Sequence, residues 1–201
     1  MRCVIRILIG GLTLLLLSGM AHAGAGQWQI DKAHSSIYFD VNHTFVTVRG
    51  QFDEFSGSVR FDPENKDASG VSFEVRVPSI NTNIEKRDKH LRSPDFFNAA
   101  KFPVMRFKSS DIRHVEDNSY IMDGELSIKG VSKKVSVPFT YLGMRDNPLK
   151  KGQTVAGFEA AFSINRLDYN VGNGQFAKMG VVGETVRLDR KSTRLNSSHY
   201  S

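Results

Sequence analysis

The chain has 201 residues with 27 basic and 21 acidic side chains, a formal charge of +6. Five of the bases (Arg2, Arg6, Arg190, Lys191 and Arg194) lie in the terminal segments; the 22 bases left against 21 acids exclude the clustered basic face of a nucleic-acid-binding protein. The single cysteine, Cys3, is also terminal, so disulfide and thiol chemistry are excluded from a body of roughly 165 residues, enough for one sizeable core.

In chain order, the first element is an export signal. Arg2 and Arg6 precede an apolar core from Ile7 to Leu17, and Ala21-His22-Ala23 supplies a small-x-small cleavage pattern. Residues 1–23 therefore read as a cleaved secretory signal peptide, which predicts a periplasmic location. The apolar run is shorter than the ~20 residues a bilayer span needs, so no integral membrane segment is expected after cleavage.

Period-two alternation then dominates, the mark of strands with one apolar and one wet face. Ile37, Phe39 and Val41 share one parity; Val59 with Phe61, and Val71, Phe73, Val75 and Val77, do the same. Further on come Tyr120, Met122, Leu126 and Ile128, then Val135, Val137, Phe139 and Tyr141, then Ala156 through Ile164, and last Val186 with Leu188. Turn signals at Asp62-Pro63, Asp117-Asn118, Lys129-Gly130, Asn147-Pro148 and Gly172-Asn173-Gly174 separate them.

One helix interrupts the series. Thr82 with Glu85 fits a capping box, which predicts a helix from Asn83 to about Arg92, and Ser93-Pro94 fits a second start. Ile84 and Leu91 fall within ~20° of each other on a helical wheel and define the expected buried line. Glu85 with Lys89, and Asp88 with Arg92, form i,i+4 pairs on the wheel. Arg87 and Asp88 flank the buried line, as anchors of the helix that could also meet a ligand head. Residues 190–201, RKSTRLNSSHYS, show no apolar periodicity and read as a non-native tail outside a domain spanning 24–189.

About eight antiparallel strands with one apolar face can form a sandwich or close into a barrel, and their length with the mixture of Phe and small inward residues favours the barrel. An eight-stranded barrel either fills with side chains or holds one small ligand. The pattern leaves both open.

Five segments in order, WQIDKAHSSIYFDVNH, GQFDEFSGSVRFD, RDKHLRSPDFFNAAKFPVMRFKS, GELSIKGVSKKVSVPF and FSINRLDYNVG, closely resemble the YceI family from about Trp28 to Leu188. The resemblance implies an all-β, eight-stranded antiparallel, lipocalin-like barrel with a short helical insertion. It implies a periplasmic, non-enzymatic protein whose lumen binds a long amphipathic lipid, a polyisoprenoid or fatty-acyl-like molecule, for transport or storage, without a cofactor. Partnership with a second copy through an exposed strand stays open.

The lumen candidates are Phe39, Val41, Phe61, Phe73, Val75, Phe107, Met122, Leu126, Phe139, Phe158 and Phe162, all on apolar parities. Aromatic lining suits an extended hydrocarbon. His43 continues the parity of Val41 and is expected to make a polar contact inside; Arg87 and Asp88 are the candidates near the head group. No catalytic residue and no metal site are expected: His34, His43, His90 and His114 show no HxH or HExxH spacing, and no GxSxG elbow exists. Arg166 with Asp168 reads as an ion pair at the rim. The alternatives are an enzyme using Arg87, Asp88 and His90, and a solid structural barrel.

Overall fold

The structure, a computed structural model, describes residues 27–198; the signal peptide expected at 1–23 lies outside the described residues. Eleven strands follow the chain: β1 (Gln27–Ile30), β2 (Ile37–His43), β3 (Val46–Phe52), β4 (Phe55–Arg60), β5 (Gly70–Arg76), β6 (Ile80–Asn81), β7 (Val104–Glu116), β8 (Ser119–Ile128), β9 (Val131–Asp146), β10 (Gln153–Asn165) and β11 (Val182–Ser198). Helix α1 (Glu85–Arg92) separates β6 from β7, and the single turn α2 (Gln175–Lys178) precedes β11.

All eleven form one antiparallel sheet in the order β1-β4-β5-β7-β8-β9-β10-β11-β2-β3-β6. A further pairing, Gln29 with Asn196 and Ile30 with Leu195, ties β1 to β11, so the sheet curls strongly on itself. The expected count of eight strands is corrected to eleven. Two physical reasons account for the difference. β1, four residues long and set apart from β2 by a 3-10 turn at Lys32–His34, is too short to show an alternation. Of the others, β3 carries Val46, Val48 and Phe52 on one parity but is mostly exposed at its start, and β6 is two residues long.

The tandem arrangement of β1 and β2 depends on β11. Its Val182–Asp189 half pairs with β2, while β10 runs along its other edge from Asn165↔Thr185 to Gln153↔Ser198. The strand thus continues through residues 190–198, which the apolar pattern had left outside the domain. Backbone pairing needs no side-chain period: the exposed N–H and C=O groups of β10 bond any extended neighbour.

Tight hairpins join the long strands. At Lys129-Gly130 both residues take positive φ, 48° and 79°, the left-handed pair that matches strand twist across a two-residue turn. Inward parity builds the core on an aromatic cluster around Phe61. Its ring lies 5.1 Å from Tyr120, 5.6 Å from Phe139, 5.2 Å from Tyr141 and 5.4 Å from Phe158.

Inward-facing glycines shape the wall. Gly57 pairs across strands with Phe73 and Gly50 with Phe39, while Gly124 sits against Phe107. Each ring leans onto its glycine and lies along the sheet rather than across the interior. A Cβ at Gly57 would fall on the Ser72 carbonyl oxygen and the Phe73 ring. Gly57→Ala is therefore expected to cost about 1–3 kcal/mol as overpacking, read as a lower urea midpoint with an unchanged slope.

Candidate ligand-binding cavity

The curled sheet lines a cavity of about 240 Å³. Its walls come from inward parities on opposite sides of the sheet, and its lining is almost wholly apolar. Phe39, Val41, Phe61, Phe73, Val75, Phe107, Met122, Leu126, Phe139, Phe158 and Phe162 all line it. The strand alternation brings these eleven together because each successive inward position is two residues along. Not every one is fully covered: Phe73, Val75, Phe158 and Phe162 are only partly buried against the core.

Three expected site residues stand elsewhere. His43 is exposed at the end of β2, where the β2–β3 hairpin runs beyond the cavity wall, and it is corrected from an interior contact to a surface residue. Arg87 and Asp88 do not line the cavity; they are spent on Thr82. Asp88 is buried and accepts bonds from the Thr82 N–H, at 2.9 Å, and from its hydroxyl. Arg87 donates from Nε to the Thr82 hydroxyl and from Nη2 to the Thr82 carbonyl, both at 2.7 Å. The pair ties the first turn of α1 to the strand before it.

The capping box does not form, because Asp88 and Arg87 occupy the Thr82 hydroxyl that would have capped the helix. Ile84 takes the cap position in extended backbone, which drops it off the helical line and leaves it 51% exposed. The inward face of α1 carries Asp88 and Leu91, and Leu91 reaches the cavity. Lys89 forms no ion pair with Glu85; Arg92 does, at 3.6 Å, and it also donates to the Asp88 carbonyl. Ser93 ends the helix rather than starting another: its N–H and hydroxyl both donate to the His90 carbonyl. The turn that follows delivers Phe96 and Phe97 to the cavity.

The histidines are dispersed. His34 pairs with Asp31 at 2.9 Å, His90 with Asp95 at 3.4 Å, and His114 Nε2 bonds the Asp117 carbonyl at 2.8 Å. The His90 ring packs edge-on to Phe96 at 5.0 Å and close to Phe176 of α2, outside the lining of the cavity.

Apolar parity also passed over the charged lining residues Arg106, Glu159, Arg166 and Asp189, of which Arg166 stands just after the end of β10. After β10 a 3-10 turn, Arg166–Tyr169, turns Arg166 and Tyr169 inward, and both line the cavity. Arg166 is 5% exposed and donates to the carbonyls of Val171 at 2.7 Å, Gly183 at 2.8 Å and Val182 at 3.2 Å. Burial holds its pKa below the ordinary arginine range, against an opposing pull from Glu184. The expected ion pair with Asp168 is absent: Asp168 is on the outer side of the turn and pairs with Lys133 at 3.4 Å.

Comparison with known proteins fits this geometry. A YceI-like domain profile matches residues 28–193. The chain belongs to the YceI family. Protein YceI of Salmonella newport (strain SL254) is 35% identical over 167 residues, covering 82% of this chain and 86% of its own. Among solved structures of the fold, BcnA of Burkholderia cenocepacia superposes with a TM-score of 0.72 at 25% identity, over 84% of this chain and 99% of that one. A polyisoprenoid binding domain from Saccharophagus degradans, implicated in plant cell wall breakdown, superposes with a TM-score of 0.62 over 87% of this chain and 99% of its own. At 17% identity that second likeness speaks for the fold alone. In this YceI chain the cavity forms inside the curled sheet, and among the described residues no helix is long and apolar enough to cross a membrane.

Proposed function

We propose that the protein binds a long-chain amphipathic lipid, polyisoprenoid or fatty-acyl-like, inside the curled sheet, and carries or stores it in the periplasm without turning it over. The observation that carries this reading is the cavity itself. An interior with this many aromatic side chains could have packed solid; instead three rings lie along the wall over glycines and leave about 240 Å³ open. A lining of Phe, Val, Leu, Ile and Met side chains recognises hydrocarbon by area, not by hydrogen bonds. The Saccharophagus degradans domain that shares the fold is itself described as a polyisoprenoid binding domain.

The enzymatic reading has less behind it. Arg87 and Asp88 are consumed in holding Thr82, and His90 packs on the outer side of Phe96, so those three groups do not converge on a ligand in the cavity.

Chain length tests the proposal. Delipidated protein titrated with straight-chain and prenyl alcohols of increasing length should gain about 0.8 kcal/mol per CH₂ buried, roughly fourfold in affinity, until the cavity is filled. Affinity independent of length from the shortest chain upward would contradict it.

A further inference from the structure

Arg166 is a buried cation that forms no ion pair with a carboxylate among the described residues. A guanidinium carries five N–H donors. Three are taken by the carbonyls of Val171, Val182 and Gly183, one from each nitrogen. Two remain, one on each terminal nitrogen, on a side chain that lines the cavity.

The surroundings fix the orientation of that fork. The three carbonyls hold all three nitrogens, and the Phe96 ring centre lies 6.0 Å from the guanidinium carbon. On a third side the Gly172 backbone closes in; a Cβ there would fall on Nη1. The other charged residues along the cavity are engaged or turned outward. Arg106 donates to Glu74 at 2.7 Å, Asp189 is 4.0 Å from Arg49, and Glu159 is exposed. Three neutral carbonyls solvate the positive charge of Arg166, Glu184 acts on it only from beyond ion-pair distance, and a buried charge without a direct ion-pair partner is costly.

Building on the lipid-binding reading, we infer that the head of the bound lipid is an anion, a carboxylate or a phosphate, seated on the two free N–H groups of Arg166. A planar, pre-oriented fork at the edge of an apolar cavity is suited to a two-oxygen acceptor and strengthens as water is excluded. The hydrocarbon then extends from Arg166 along the aromatic wall.

The test compares matched ligands on the wild-type protein: a long-chain fatty acid against its methyl ester, and a prenyl phosphate against the prenyl alcohol. The anionic member of at least one pair should bind roughly tenfold or more tightly, and which pair shows it tells carboxylate from phosphate. The Arg166 Nε–H resonance in ¹⁵N-labelled protein should shift with that anion and stay in place with the neutral analogue. Arg166→Gln should erase the difference in affinity between the anion and its neutral analogue; the resonance measurement stands alone if that variant fails to fold. Equal affinities within both pairs, or an unmoved Arg166 resonance, would overturn the head-group assignment. Binding of none of the four would overturn the lipid reading itself.

Discussion

Val75→Trp is expected to abolish lipid uptake while leaving the protein folded. Val75 lies on β5 between Phe55 of β4 and Met105 of β7 and points into the cavity, only partly buried. In a solid core the extra bulk would force neighbours off their rotamers at a cost of about 1–3 kcal/mol or more. Here the indole has open volume to enter, so the circular dichroism spectrum and melting temperature should stay close to wild type. The same volume is then lost to ligand. Displacing several buried CH₂ groups corresponds to at least a hundredfold loss of affinity, at ~0.8 kcal/mol each. Trp28 is the only native tryptophan, so a blue-shifted second emission reports whether the new ring is buried. A variant that unfolds would show that the interior has no usable space.

Arg166→Met is expected to be the most destabilising single change at the cavity, at about 3 kcal/mol. It removes the donors to three carbonyls, two of them at the start of β11 and one at Val171. Loss of a partner leaves a buried polar group with its full desolvation cost, which exceeds the net value of the bond. For a domain of this size the melting temperature should fall by roughly 10 °C. Asp168→Asn, two residues on, removes only the exposed ion pair with Lys133 and should change stability by less than about 1 kcal/mol. If the two variants melt alike, the carbonyl network around Arg166 does not hold the end of β10 to the start of β11.

The sequence made the wall of the cavity legible and its end illegible, for different reasons. Phe39, Val75, Met122 and Phe162 could be placed because a strand fixes the direction of every second side chain whatever its partner. Gly124 could be read as a small inward residue, but Gly57 carried no such signal: its role depends on a ring from a neighbouring strand, Phe73. Thr82 misled for a related reason. Its hydroxyl fits a capping box locally, yet Asp88 on the inner face of α1 takes it, and burial rather than local propensity decides between the two. Arg166 looked like a rim ion pair because Asp168 is close in sequence, whereas its bonding partners lie 5 to 17 residues further on. The number of strands was misjudged at β1, β3 and β6, which are short or exposed at their start, and the length of β11 was misjudged where its far half pairs through backbone. The order of five motifs, by contrast, pointed to the family that the comparisons bear out.

The most direct test of lipid carriage is native mass spectrometry of the protein purified without detergent, followed by organic extraction of what it holds. The cavity predicts a bound mass in stoichiometric amount that extracts as a long acyl or prenyl chain, and uptake of one equivalent of such a chain after delipidation. Protein that carries no extractable lipid and takes up neither an acyl nor a prenyl chain after delipidation would contradict it.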